Sequence, residues 1–586
     1  MKKLFETAHL NNDLRSKSIR GGAINIGSRG TIFVLNLFST AILARLLTPD
    51  DFGLIAMVMV LVGFIQIFGD LGLPAATIQR EEITHEQVSA MFWINLIVSA
   101  LFALVTIAAA PALVLLYEEE RLFSITAVLC LTFIFSGLTA QHLALMRRQM
   151  RFKAIAIIDL TAFSISILSG VIFALIWQTY WALVVMTLSR TAITMVSAWL
   201  FSGWRPGRFS WSSEIRSMLG FGGYLTGADV LNYFSRNFDK ALVGVVFGAG
   251  SLGLYTKAYN LLMLPVSLIN RPIGSVALSS LSRLQGDPVR HRRFFLRAVS
   301  LLALVTIPLI TYFLVDADVI ILLLLGDQWV EAIEIFRWLG LAAVVSAVNI
   351  IPGWLCTSLG RNDIPFKWAL YSMPFIIIGF LIGLFWGMNG VAASFSITFT
   401  ISFLVFVSMA CRISSVMEKD LWHAIRYTVS SSVLSGLCLI LFKHYIPIYE
   451  TALLFHFCIS LPLYGMMFLL FYSISRSGRE ELIRLYFLKN EFRIVTTHPP
   501  QVKNKTISVI AVDDLKMNNL SLIQLDVEGY ELNALIGAKN TILKWFLSRI
   551  QLGVLAATVN LRSGKIPITW HGVTRHFQNI EYRPGI

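Results

Sequence analysis

Long apolar blocks separated by short polar loops run from Gly21 to Ser475. A block of about 20 apolar residues is enough for a helix to cross a hydrocarbon core. The pattern predicts such helices over Gly21–Leu47, Phe52–Gln79, Val88–Tyr117, Leu122–Met146, Ala154–Ile176 and Trp181–Phe201. A second set is predicted over Met218–Asp239, Leu252–Ser280, Phe294–Leu314, Ile335–Leu359, Pro365–Trp386 and Gly390–Cys411. A final pair covers Ala424–Phe442 and Ala452–Ser475. The expected fold is an all-α polytopic membrane protein of about 14 transmembrane helices.

The chain repeats itself. The turn Leu47–Leu54 joins the first two blocks, with Pro49 suited to a first helical turn and Asp50 and Asp51 to its positive end. Phe247–Leu254 echoes it, placing Gly53–Leu54 and Gly253–Leu254 200 residues apart. Asp70–Pro74 has a weaker counterpart in Asn270–Gly274 at the same offset. Two related halves built of spanning helices suggest a transporter with a path between two lobes.

Composition agrees: of 586 residues, 56% are hydrophobic and 14% charged, with a mean hydropathy of +0.70. Soluble domains carry roughly 25% charged residues. The net charge of +14 collects in alternate loops rather than on a nucleic-acid-binding face. Basic loops include Met146–Lys153, Trp204–Arg208, Ser282–Arg293, Arg361–Lys367, Arg412–Arg426 and Ser475–Arg493, together with the N-terminus. Loops at Glu118–Glu120, Gln178–Tyr180, Gly326–Glu331 and Gly387–Asn389 are acidic or nearly neutral. The asymmetry predicts that both termini are cytoplasmic. Met1–Arg20 lacks the apolar core of a cleavable signal peptide. The five cysteines are scattered without a CxxC pair and read as small buried side chains. Trp177, Tyr180, Trp181, Trp204, Trp211, Trp329, Trp386 and Trp422 lie near span ends and read as an interfacial aromatic belt rather than sugar-stacking platforms.

Charges inside spans are costly and mark cavities or partners. The candidates for substrate binding are Arg29, Arg190, Arg236, Asp239, Lys240, Lys257 and Arg271, and those for ion coupling are Asp70 and Asp159. Each has a structural alternative: Asp239–Lys240 as an interfacial ion pair, Lys257 as a snorkelling side chain, Asp70 as a cap at a helix break and Asp159 as a partner for a nearby Arg. No GxxxxGK[ST] run occurs, which argues against ATP hydrolysis within this chain, and no metal site is expected.

Leu46–Ile55, Phe68–Leu73, Gly253–Ala258 with Pro265 and Pro272, and Leu325–Trp329 with Pro308 resemble the pattern of Wzx-type polysaccharide exporters. These belong to the multidrug/oligosaccharidyl-lipid/polysaccharide exporter superfamily, and the resemblance covers about residues 15–475. It implies two six-helix lobes, residues 21–212 and 213–412, plus two extra helices within 413–475, around a central cavity. It also implies an inner-membrane flippase, driven by an ion gradient, for a polyprenyl-pyrophosphate-linked oligosaccharide used in lipopolysaccharide, capsule or exopolysaccharide synthesis. Membrane lipids and polysaccharide polymerase or assembly proteins are the expected partners. A small-molecule or cation antiporter of the same superfamily is the related alternative.

Beyond Ser475 the character changes. Residues 476–500 read as an amphipathic helix and linker, and 501–586 as a small partial α/β tail. Val512–Leu515, Leu522–Glu531 and Leu535–Ala538 resemble FkbM-type methyltransferases. That resemblance implies S-adenosylmethionine as cofactor near Asp526, Glu528 and Glu531. The glycine-rich cofactor-holding unit that should precede them is missing, so the expectation is an inactive remnant. A membrane-anchored glycan methyltransferase is the competing function.

Overall fold

The structure is a computed structural model describing residues 14–67, 73–80, 83–209, 213–445, 453–475 and 478–479. For residues 14–23, 25, 26, 75, 79, 213–232, 235, 236 and 271 the backbone alone is described. Two units are distinguished, Met1–Ser475 and Arg476–Ile586, and the helices described here belong to the first. They are α1 (Leu14–Leu46), α2 (Pro49–Ile67), α3 (Leu73–Gln79), α4 (His85–Tyr117), α5 (Arg121–Leu129), α6 (Leu131–Arg148), α7 (Phe152–Trp177), α8 (Trp181–Ser202) and α9 (Ser213–Arg283). The chain continues with α10 (Pro288–Val315), α11 (Ala317–Leu324), α12 (Ala332–Val348), α13 (Ile350–Ser358), α14 (Asp363–Gly383), α15 (Gly387–Cys411), α16 (Glu418–Tyr445) and α17 (Leu453–Ile474). Single 3-10 turns occupy Asp327–Trp329 and Leu384–Trp386. Among the described residues there is no strand, and 12 helical stretches are long and apolar enough to cross a membrane.

Local chemistry sets several helix starts. Pro49 opens α2, and Asp51 turns back so that its Oδ2 accepts from the Thr48 amide at 2.9 Å and the Thr48 hydroxyl at 2.7 Å. Thr84 and Gln87 form a reciprocal capping box at α4. Asp287 caps α10 through the Val289 and Arg290 amides, with Pro288 at its first position.

Two of the 12 stretches are hairpins. Within α9 the Tyr255 hydroxyl lies 2.8 Å from Asp239, 16 residues away. A straight helix would separate them by about 24 Å. The chain therefore folds back at Gly248, whose φ of 80° favours glycine. In the same way the Trp368 indole reaches the Ser402 carbonyl at 3.0 Å across 34 residues, with the reversal at Gly387 (φ 72°). Stacked Phe380–Phe395 and Trp368–Phe406 pairs hold α14 against α15.

Some predicted spans are broken. Leu122–Met146 divides at Cys130 into α5 and α6, and Ile335–Leu359 divides at Asn349 into α12 and α13. The short helix α11 lies beyond the predicted Phe294–Leu314 span, its 8 residues being too few to cross a membrane. The aromatic belt needs correction at two positions: Trp204 and Trp329 are both fully buried. Each indole found an internal acceptor, Trp204 on His85 Nδ1 at 3.1 Å and Trp329 on the Ala44 carbonyl at 2.8 Å. Trp177, Trp386 and Trp422 are exposed, as a belt requires. Trp211 lies outside the described residues, as do the tail segments where strands were expected.

Candidate functional site

The first half of the chain gathers charge around Asp159 of α7. Its carboxylate feels the fields of Arg190 on α8, Arg147 on α6 and Arg29 on α1. Sequence reasoning singled out three of these four residues from separate spans, and the packing of α1, α7 and α8 unites them. Arg29, Arg147, Asp159 and Arg190 are all exposed on the protein surface. The Arg190 guanidinium also sits 4.9 Å from the Phe163 ring centroid, a cation–π distance. Three guanidinium groups beside one carboxylate leave an excess of positive charge, suited to an anionic group. Arg147 was missed as an individual candidate because it stands in a basic run attributed to the cytoplasmic loop. It is instead in the last turn of α6.

Its neighbour Arg148 has another task. It is 5% exposed and donates to the Thr77 carbonyl at 3.1 Å and to the Arg80 carbonyl. It thereby ties α3 to α6. Adjacent arginines on one helix point about 100° apart, which lets one be structural while the other stays open.

A cavity of about 390 Å³ lies between the halves, lined by Asn36 and Thr40 of α1, Lys257, Asn260 and Ser267 of α9, and Leu325. Arg29, Asn36 and Thr40 follow helical spacing of seven and four, so they share one face of α1 over about 16 Å. Lys257 Nζ is 3.7 Å from the Phe52 ring centroid, and no carboxylate among the described residues pairs with it. The Phe52 ring therefore holds the Lys257 amine at the cavity. By helical register Arg271 falls on the Lys257 face of α9; its side chain, like that of Arg236, lies outside the described residues. Asp70, Asp526, Glu528 and Glu531 lie outside them entirely.

Asp239 and Lys240 do not form the ion pair that their adjacency suggested. Asp239 is 1% exposed and accepts from Tyr255, clasping the two arms of α9. Lys240 donates to Asn237 Oδ1 at 3.0 Å and lies 5.1 Å from the Tyr259 ring centroid. Neighbours in a helix point apart, so the two side chains take separate partners.

At one end of the cavity three separated sequence motifs meet. Gly53 and Gly253, the paired glycines of the internal repeat, lie against each other. A methyl group on Gly53 would run into the Ala249 carbonyl, and one on Gly253 into the Pro49 carbonyl. The third motif closes over them: Gln328 donates to the Ala44 and Leu47 carbonyls, the latter at 3.0 Å. Trp329 adds its indole bond to Ala44 and an edge contact with Phe52 at 5.5 Å. Arg45 answers with a bond of 2.8 Å to the Leu323 carbonyl. Because these acceptors are backbone carbonyls at a helix end, they bind the two halves directly.

The fold is shared with known transporters. Lipid II flippase MurJ in an inward closed conformation superposes with a TM-score of 0.64 at 15% identity, covering 78% of this chain and 98% of MurJ. An inward-facing multidrug resistance MATE family transporter of the MOP superfamily gives 0.54 at 14% identity, with 65% and 94% covered. Among curated relatives, lipopolysaccharide biosynthesis protein WzxC of Escherichia coli (strain K12) is 24% identical over 62% of this chain and 76% of its own. Teichuronic acid biosynthesis protein TuaB of Bacillus subtilis (strain 168) is 24% identical over 58% and 70%. A methyltransferase FkbM domain profile matches residues 462–555, a wider span than the Val512–Ala538 motifs and one that begins inside α17. A polysaccharide biosynthesis protein profile matches residues 42–334, which takes in the glycine pair, its closure and the α9 wall of the cavity. This multi-pass membrane chain belongs to the polysaccharide biosynthesis protein family.

Proposed function

We propose that the protein is a flippase of the bacterial inner membrane that moves a polyprenyl-pyrophosphate-linked oligosaccharide to the periplasmic leaflet by alternating access. The observation that carries this reading is the cationic and polar face shared by Arg29, Asn36 and Thr40 on α1, with Lys257 opposite and Arg147 and Arg190 nearby. A pyrophosphate needs fixed cations, and a glycan needs amides and hydroxyls that replace its water. The relatives act in lipopolysaccharide and teichuronic acid biosynthesis, which supports a polysaccharide precursor as cargo. The surplus of arginine over carboxylate speaks against a cation antiporter.

Splitting the α9 and α14–α15 hairpins raises the 12 apolar stretches to about fourteen crossings. They fall into lobes 21–212 and 213–412, with α16 and α17 outside both. Loop charge puts the basic arm 1–20 and the region after Ser475 in the cytoplasm. The closure around Gly53, Gly253 and Trp329 is then periplasmic, and an ion gradient drives the cycle. Residues 476–500 form a linker and 501–586 a partial FkbM-like segment without methyl transfer. A working methyltransferase would bind S-adenosylmethionine at Asp526, Glu528 and Glu531. Calorimetry on the full chain with S-adenosylmethionine is expected to give no binding heat; saturable binding lost in Glu528→Gln would establish the competing reading.

The direct test is surface polysaccharide in cells lacking the protein, complemented by Arg29→Ala, Arg190→Ala or Lys257→Met chains. Each is expected to reduce export at least tenfold at equal abundance, the loss of about 1.4 kcal/mol of cargo interaction. Full rescue by all three would refute the assignment.

A further inference from the structure

A buried polar cluster away from the cavity joins α10 and α11 to α16 and α17. Asp316, between α10 and α11, has no exposed surface. Its Oδ2 accepts from the Tyr312 hydroxyl at 3.0 Å and the Ser460 hydroxyl at 2.7 Å, and those two hydroxyl oxygens are themselves 2.9 Å apart. Its Oδ1 faces Lys443 Nζ at 3.0 Å and His456 Nε2 at 3.6 Å. His456 is 2% exposed and its Nε2 makes no hydrogen bond among the described residues. Lys443 is shared: its Nζ lies 2.6 Å from Asp318 Oδ1 and 3.3 Å from the Val315 carbonyl. Arg337 of α12 faces Asp318 at 3.8 Å, and Cys458 and Tyr464 of α17 flank Tyr312. From α1, Arg45 reaches α11 at its far end, on Leu323.

The oxygen triangle has a proton count. Tyr312 and Ser460 carry one hydroxyl proton each, so an ionised Asp316 leaves two protons for three short oxygen–oxygen edges. A third proton on Asp316 Oδ2 closes the ring, each oxygen donating once and accepting once. The charges fit the same step. With Asp316 ionised, the two carboxylates of Asp316 and Asp318 face the two cations Lys443 and Arg337. A metal cation is disfavoured because the Lys443 ammonium already occupies Oδ1.

We propose that Asp316, backed by His456, is a proton-binding site whose occupancy sets the contact between α11 and the α16–α17 pair. One proton passes from a hydronium ion to the carboxylate, breaking one O–H bond, forming another and leaving water, and the cluster gains one positive charge. Lys443 is then left to Asp318, and α17 keeps Asp316 through hydroxyl bonds alone. A role for this step in driving transport rests on the flippase reading; the binding of the proton does not.

Infrared difference spectra of the full chain in lipid nanodiscs, recorded against pH, test it. The carboxylic-acid carbonyl absorption that grows as pH falls is expected to contain one component that is absent in Asp316→Asn, isolated by subtracting the variant's difference spectra from the wild type's; no component lost in that subtraction overturns the proposal. Ser460→Ala removes one donor to the carboxylate and is expected to move that component's midpoint by about one pH unit. This variant decides the matter if Asp316→Asn does not fold, since an unmoved midpoint also overturns the site. Loss of the component in Asp316→Asn alongside an absence of lipid translocation by the wild-type chain would uphold the proton site and count against the flippase reading.

Discussion

Arg147 and Arg148 show how far a single residue can be read from sequence. Both belong to a basic run that sets membrane orientation, and nothing in that run separates them. Their difference arises from packing: Arg148 points at the carbonyls of Thr77 and Arg80, and Arg147 at the field of Asp159. Arg148→Ala strips donors from buried carbonyls, each worth about 1–3 kcal/mol when orphaned. The expected result is a lower melting temperature and reduced abundance, whereas Arg147→Ala keeps both and weakens export. Equal melting curves for the two variants would contradict this division. Arg29, Asp159 and Arg190 were legible because a charge in an apolar span is conspicuous by itself. Asn36, Thr40 and Asn260 were not, because uncharged polar residues are common in such spans and become site residues only through the face they share. Asp316 and Lys443 escaped notice for a related reason, each lying close to a span boundary where charge is ordinary.

Among the elements, the α2 turn and its repeat beside Gly253 were visible as a pattern 200 residues apart. Their mutual contact was not, since sequence similarity of two segments does not state that they touch. The contact explains the residue type: each glycine sits where the other segment's backbone leaves no room for a Cβ. Gly53→Val or Gly253→Val is therefore expected to force the two halves apart at this end. Cysteines placed at Ala44 and Gln328, opposite each other in the closure, would report it by disulfide crosslinking, which requires Cα atoms within about 7 Å. Crosslinking is expected to fall several-fold when Gly53→Val is added, and unchanged crosslinking would show that the glycines do not set the closure. The hairpin reversals at Gly248 and Gly387 were anticipated as loops between spans, because a polar or glycine-rich break in an apolar run is a strong signal. The divisions at Cys130 and Asn349 carry no such signal and stayed hidden.

At the scale of the whole molecule, apolar periodicity was sufficient for the helical membrane architecture, and the combined motifs for the family. The tail is the part where sequence pattern and profile speak without structural description. The chain ending at residue 495 is expected to restore surface polysaccharide to at least half the full-length level in cells lacking the protein; failure despite normal abundance would give the tail a working role. The central claim concerns where the lipid-linked precursor resides. The measurement is the fraction of lipid-linked oligosaccharide in spheroplasts that an impermeant glycan-modifying reagent can reach, compared before and after depletion of the protein. Depletion is expected to trap the precursor on the cytoplasmic side and cut the reachable fraction at least tenfold, with restoration by the wild-type chain but not by Arg29→Ala. An undiminished reachable fraction after depletion would contradict the assignment of this protein as the flippase.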